Sequence, residues 1–292
     1  MRHKKVERAA ILGIIGNIFL IIIKAIVAVI TNSQAMISDA FNSAGDILSS
    51  FMTFVGNKIA SKEADEDHSW GHGKAEYIFT MLISLTMMIV ATKLLFSSIE
   101  SLFVEYNYKF SYGLLIVGII TFIVKIALYI YTHKIAKEQN NLLVEANALD
   151  HRNDCILTGL TTIAAIFGMY GITYADGIVG SLVAIYMCIT GISLFRDSFD
   201  VLMDKGLDNE TKNEVLEIIK KYDEVKKIQH FNSIPIGYQY QVSFSIFVDG
   251  NMSTFESHEI AHKLEKEITN TLDEVYVTII HVNPIEIKKE EN

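Results

Sequence analysis

Three acidic residues stand in stretches that otherwise read as apolar helix. Asp150 and Asp154, four apart, lie just before the apolar run from Ile156 to Gly171. Asp46 closes the stretch Ser38-Asp-Ala-Phe-Asn-Ser-Ala-Gly-Asp46, four residues after the amide of Asn42. Four residues is just over one helical turn, so each pair projects from one face of its helix. An ionised Asp at the centre of a bilayer costs ~2.5–3.5 kcal/mol on insertion scales, so such carboxylates face a polar interior with a partner. Packed side by side, the two helices would gather Asn42, Asp46, Asp150 and Asp154 into one set of oxygen donors. With no evident basic partner, that set calls for a cation.

The donor types restrict which cation. Thiolate and imidazole ligands suit zinc and copper, whereas carboxylate, carbonyl and water suit manganese, magnesium and calcium. Magnesium dehydrates reluctantly and calcium wants six to eight oxygens. Manganese therefore ranks first for this all-oxygen set, with ferrous iron as the alternative. A competing structural reading has the acids pair with Lys24, Lys125 or Arg152 to hold a helix bundle together. Lys24 and Lys125 sit inside apolar runs; Lys24, some turns from either end of its run, faces the bundle or a lipid headgroup. His151 and Arg152 lie between the two acids and point to other faces.

The elements that must position these residues are membrane spans. Half of the 292 residues are hydrophobic and only two are proline, so long helices go uninterrupted. Six spans are drawn at about 9–30, 36–59, 77–103, 112–135, 142–170 and 174–195, each near or above the ~20 residues a crossing needs. The second and fifth are amphipathic and should line the interior. The first follows Met-Arg-His-Lys-Lys-Val-Glu-Arg and has no small-residue cleavage pattern, so it is read as a retained span. Basic residues cluster before span one, between spans two and three, between four and five, and after span six, while the opposite loops contain only Lys109. By the positive-inside rule both termini and the tail are cytoplasmic, in a multi-pass protein of the cell membrane. Cys155 and Cys188 fall in apolar segments and suggest neither a disulfide nor a thiolate site.

From Gly206 the pattern becomes that of a small soluble domain, giving a division into residues 1–205 and 206–292. The second part carries −7 of the net charge of −9, from 16 acidic against 9 basic residues, which excludes nucleic acid as a partner. A helix over 208–222, strands over 225–234 and 238–248 around a Pro235-Ile-Gly237 turn, a helix over 253–272 and a strand over 275–282 are expected. Ser253 and Glu256 form a capping-box pattern. The fold class is thus a membrane all-α six-helix domain followed by an α+β ferredoxin-like domain of order αββαβ.

Three stretches resemble the cation diffusion facilitator family of divalent-metal/proton antiporters over essentially the whole length. They are Ser38 to Asp46, His68-Ser-Trp-Gly-His-Gly-Lys-Ala-Glu76, and Asp150-His-Arg-Asn-Asp154. Zinc members usually have His at the first span-five position, where this chain has Asp150. The Asn-Asp-Asp-Asp arrangement resembles the bacterial manganese-transporting branch. The resemblance implies a homodimer joined partly through the cytoplasmic domains. It also implies alternating access of the four-residue site and a possible second metal site at Asp65, His68 and His72. In the cytoplasmic domain it implies a metal site near His230, His258 and His281, where His262 could substitute; Ser245 and Asn283 replace ligands common in the family.

The function expected is Mn²⁺ efflux, with protons as counter-ion and no enzymatic activity. Metal arriving at carboxylates would expel the protons they hold. A Zn²⁺ or Fe²⁺ exporter is the alternative within the class. An intramembrane aspartyl protease would need Gly-x-Gly-Asp, and Ser43-Ala-Gly-Asp46 lacks the first glycine. A metal-sensing scaffold that does not transport is the remaining rival.

Overall fold

In the computed structural model, residues 2–31, 34–103, 112–169 and 174–285 are described; within them the side chains of residues 28, 31, 34–39, 41, 42, 112, 114, 161, 164–169 and 174–176 are not. No proline interrupts the first two hundred residues, and they form long helices: α1 (Arg2–Thr31), α2 (Gln34–Ala60), α3 (Ala75–Ser101), α4 (Tyr112–Gln139), α5 (Leu142–Met169) and α6 (Tyr174–Leu202). Four of them, α1, α3, α4 and α6, are long and apolar enough among the described residues to cross a membrane. The sequence-based expectation was six spans. The two that fall short, α2 and α5, carry the polar residues of the acidic site, and those residues lower their hydropathy.

Polarity is inverted relative to a water-soluble bundle. Along α1 the buried stripe includes Val6, Ala9, Gly13, Asn17, Leu20 and Lys24, while Ile11, Ile15, Phe19, Ile22 and Ile26 are exposed. Large apolar side chains turned outward in this pattern suit a lipid surround, and the small and polar residues meet other helices. α1 packs on α2 and α4, α4 on α5, and α2 and α3 both on α5. Close approach depends on glycine at several helix crossings, Gly56 and Gly16 among them. A Cβ at Gly56 would come within 2.8 Å of Phe79 Cβ and 2.9 Å of a Leu143 methyl, so α2, α3 and α5 meet there without room for a methyl group. At Gly16 a Cβ would lie 2.9 Å from Leu128, where α1 crosses α4. α6 adds Val183 and Met187 to Ala91 of α3. The start of α1 is tied down by polar contacts: Arg2 donates to the Glu76 carboxylate and to the Gln139 carbonyl, and Lys5 pairs with Glu138 at 2.9 Å.

The chain divides into two compact units, one ending at Phe199 and one beginning at Asp200. The second contains α7 (Asn209–Lys220), β1 (Lys227–Ile236), β2 (Gln239–Asp249), α8 (Thr254–Thr271) and β3 (Val275–Ile285). Asp208 caps α7 by accepting from the backbone N–H of Glu210 and Thr211, and the Ser253–Glu256 capping box opens α8. The sheet order is β1-β2-β3. β1 and β2 are antiparallel, whereas β2 and β3, joined by the α8 crossover, are parallel. One face is covered by the two helices around a core of Val215, Ile218, Ile219, Val242, Phe244, Ile246, Val248, Leu264 and Ile268. This is the expected αββαβ order in two layers. The hairpin differs in detail: Pro235 lies inside β1, paired with Tyr240, and the reversal falls at Gly237, whose φ is 62°. An edge strand tolerates a proline because its N–H need not bond to a neighbour.

Candidate metal sites

Helices α2 and α5 bring the three acids together. One carboxylate oxygen from each of Asp46, Asp150 and Asp154 lies within 4.8 Å of the other two. The i,i+4 spacing of Asp150 and Asp154 aims both at α2, and Gly56 lets α2 approach α5 closely at Leu143. Ser49 hydrogen-bonds Asp150, whose Oδ2 is buried without a protein partner among the described residues. Asn42 stands on α2 one turn before Asp46; its side chain lies outside the described residues.

The expectation that these acids have no basic partner is corrected by α4. Lys125 is fully enclosed, and its Nζ donates to Asp46 Oδ2 and to Asp154 Oδ2, each at 2.6 Å. A sequence signal for this pairing does exist. Counted from the α4–α5 turn at Asn140, Lys125 and Asp154 lie at nearly equal distances in opposite directions, so at ~1.5 Å per residue they reach the same depth. Lys24 is also buried and donates to Ser43 Oγ at 2.8 Å, so it faces the bundle and not a lipid headgroup.

Around the acids is a polar lining, of which the sequence draws attention only to His151. Asn147 Nδ2 donates to Ser50 Oγ at 3.2 Å. His151 is fully buried, and both its ring nitrogens lack a protein partner among the described residues, as do both side-chain polar atoms of Asn17. Buried polar atoms of this kind are ordinarily satisfied by water. A Cβ at Gly13 would lie 2.7 Å from Ser50 Oγ and 3.4 Å from His151 Nε2, so α1 presses its backbone against this lining. Arg152 turns the other way and lies over the Tyr186 ring, 5.3 Å from its centre.

Asp65, His68 and His72 form a second group, in the turn between α2 and α3, with one ligand atom from each within 4.8 Å of the others. Asp65 Oδ1 accepts from the His68 backbone N–H at 2.7 Å and lies 3.0 Å from His68 Nδ1, and Asp65 Oδ2 lies 3.5 Å from His72 Nε2. Gly71, at φ 73°, reverses the chain so that His72 returns to face His68, with ring centres 4.3 Å apart. The backbone N–H of His68, more than any charge nearby, holds the Asp65 carboxyl below its ordinary value. One oxygen and two ring nitrogens with solvent access make a set that suits a divalent ion of intermediate hardness.

The cytoplasmic histidines are not brought into such a group among the described residues. His230 is exposed at a bulge in β1, with φ 55°, and His281 is exposed on β3 opposite Ser245. His258 is exposed on α8, stacked on His262 with ring centres 6.1 Å apart, and borders a cleft of about 320 Å³ with Asp249 and Pro284.

The cation efflux transmembrane domain family matches residues 10–203, and the cation efflux protein cytoplasmic domain family matches residues 207–285. The chain is 29% identical to the manganese efflux system protein MneP of Bacillus subtilis over 290 residues, 97% of each chain. It is 26% identical to the manganese efflux system protein MneS of the same organism over 285 residues, 98% of each chain. Among solved structures, the metal-bound C-terminal domain of the CzcD transporter from Thermotoga maritima is 22% identical, with a TM-score of 0.27, covering 28% of this chain and all of that one.

Proposed function

Because this chain belongs to the cation efflux family, multi-pass membrane metal transporters and not enzymes, we propose that it exports Mn²⁺ from the cytoplasm in exchange for protons. Asn42, Asp46, Asp150 and Asp154 are the transport site. The observation that carries this reading is the convergence of three carboxylates from two helices within 4.8 Å of one another. An all-oxygen donor set favours manganese over zinc, and two relatives of matching length are named for manganese efflux. Carboxylates ligate metal only when ionised, so loading metal releases protons and unloading takes them back. The termini and the second unit are assigned to the cytoplasm from the distribution of Lys and Arg among the loops. Residues 1–205 form the transport domain, and residues 206–292 pair two copies into a homodimer. Asp65, His68 and His72, and singly His230, His258 and His281, are secondary metal positions.

Flux into proteoliposomes tests this directly. Wild-type protein should move Mn²⁺ in preference to Zn²⁺, Fe²⁺ and Mg²⁺ in competition and carry protons the other way. Asp46→Ala, Asp150→Ala and Asp154→Ala should each abolish flux and leave the dimer intact. Normal flux in any one of them would remove that residue from the site.

A further inference from the structure

Lys125 is the one feature of the acid cluster that metal ligation leaves unexplained. It arrives from a third helix, α4, and its side chain is 1% exposed. Its ammonium bridges Asp46 and Asp154 at 2.6 Å to each. First-row divalent ions sit ~2.0–2.2 Å from a carboxylate oxygen. An ion bonded to either of these two oxygens could therefore lie no farther than about 4.8 Å from Nζ, since the two must share an oxygen. No water fits between cations that close, and their repulsion in the bundle interior is strong. An ion seated on Asp46 Oδ2 or Asp154 Oδ2 therefore competes with the ammonium for these carboxylates.

We propose that Lys125 is a resident cation that the cargo must displace: its ammonium holds Asp46 and Asp154 between loading events, swings off when the divalent ion arrives, and returns when the ion leaves. This rests on the reading of the acids as the transport site. Lys125 is then a positioning residue that sets the site's affinity and its unloaded return. The ammonium covers one carboxylate charge on that return, and protons cover the others. The flexible four-carbon stem of lysine suits such a movement better than the planar fork of arginine, which would grip both carboxylates at once.

The test compares full-length wild type, Lys125→Met, Lys125→Gln and Lys125→Arg, each checked for dimer assembly, with Mn²⁺ as the probe. Binding is measured by calorimetry in detergent, and transport both as net efflux and as Mn²⁺–Mn²⁺ exchange in proteoliposomes. Without the competing ammonium, Lys125→Met and Lys125→Gln should bind Mn²⁺ roughly tenfold tighter or more. They should keep exchange, which never requires an unloaded return, while net efflux falls. Lys125→Arg should bind more weakly than wild type. Unchanged or weaker binding in both neutral variants, or undiminished net efflux, would overturn the displacement. Should the Lys125 variants give such a negative result, an Asp154→Ala control separates the two readings: if it still binds Mn²⁺ normally, the transport site itself has been misassigned; if it loses binding, only the role of Lys125 has failed.

Discussion

At the scale of single residues, the choice of donor at position 150 should determine which ion is selected. Asp150 offers a hard oxygen, and replacing it with His adds an imidazole, a better ligand for zinc. Asp150→His is expected to gain Zn²⁺ transport and lose Mn²⁺ in a competition flux assay, and an unchanged preference would place selection outside this residue. The loop group makes a separable prediction. His68→Ala should remove one equivalent of bound metal from the stoichiometry measured on the purified protein and leave binding at the acids in place. The acids were legible because i,i+4 spacing is written in the sequence and carboxylates in an apolar run demand an explanation. Their basic partner was legible only as one of three candidates, Lys24, Lys125 and Arg152, and spacing alone does not choose among them. An ion pair between helices depends on depth and rotation, and Lys125 looks like any other snorkelling lysine until its depth is compared with that of Asp154 across the α4–α5 turn. For His230, His258 and His281 the elements were readable, but the β1 bulge that displaces His230 has no marker in the sequence.

At the scale of elements, glycine and caps fix the geometry. Gly56→Ala forces a Cβ against Phe79 and Leu143 at the junction of α2, α3 and α5. Overpacking of this kind costs about 1–3 kcal/mol, and the strain falls on the helices that carry the acids. Reduced thermal stability together with weakened Mn²⁺ binding is the expected outcome, readable from a melting curve taken with and without Mn²⁺. In the second unit, Ser253→Ala removes the α8 cap and should cost about 1 kcal/mol. The same unit should also respond to acid. Asp208 is held below its ordinary value by the Thr211 backbone N–H, Glu256 by the Ser253 N–H and Glu267 by the Tyr222 hydroxyl. A depressed carboxyl means that the folded domain binds fewer protons than the unfolded chain, so this stabilisation is complete above the ordinary carboxyl range and is lost as pH falls through the lowered values. Amide protection factors for α7 and α8 in the full-length protein should hold steady down to about pH 5 and decline below about pH 4. Steady protection at pH 3 would show that these caps add little. The helices and strands themselves were legible from periodicity and turn chemistry. What the pattern blurred was the hairpin, where proline signalled a turn and instead sits within an edge strand.

At the scale of the whole molecule, charge and pairing oppose each other. The proposed homodimer, built on residues 206–292, would set two parts of net charge −7 against one another, a repulsion that salt screens within about 8–10 Å. A divalent ion held by His230, His258 or His281 would offset part of it. Spin labels on the two tails should therefore report a shorter separation when Mn²⁺ is added at low ionic strength, and a smaller change at high. A distance distribution indifferent to Mn²⁺ would make the tail a constitutive clamp.

The bridge from Lys125 to Asp46 and Asp154 also bears on how the protein is made. The helices leave the ribosome in order, so α2 brings Asp46 into the bilayer first, α4 brings Lys125 next and α5 brings Asp154 last. Each lone charge at mid-membrane would cost ~2.5–3.5 kcal/mol during insertion. Lys125 can be neutralised by Asp46 as soon as it enters, and it then offers a partner to the acids of α5. An assembly intermediate with four helices would then already be neutral at that pair. Removing Asp46 should therefore lower the membrane insertion of α4, an effect visible in a glycosylation-mapping assay of nascent chains that stop before α5.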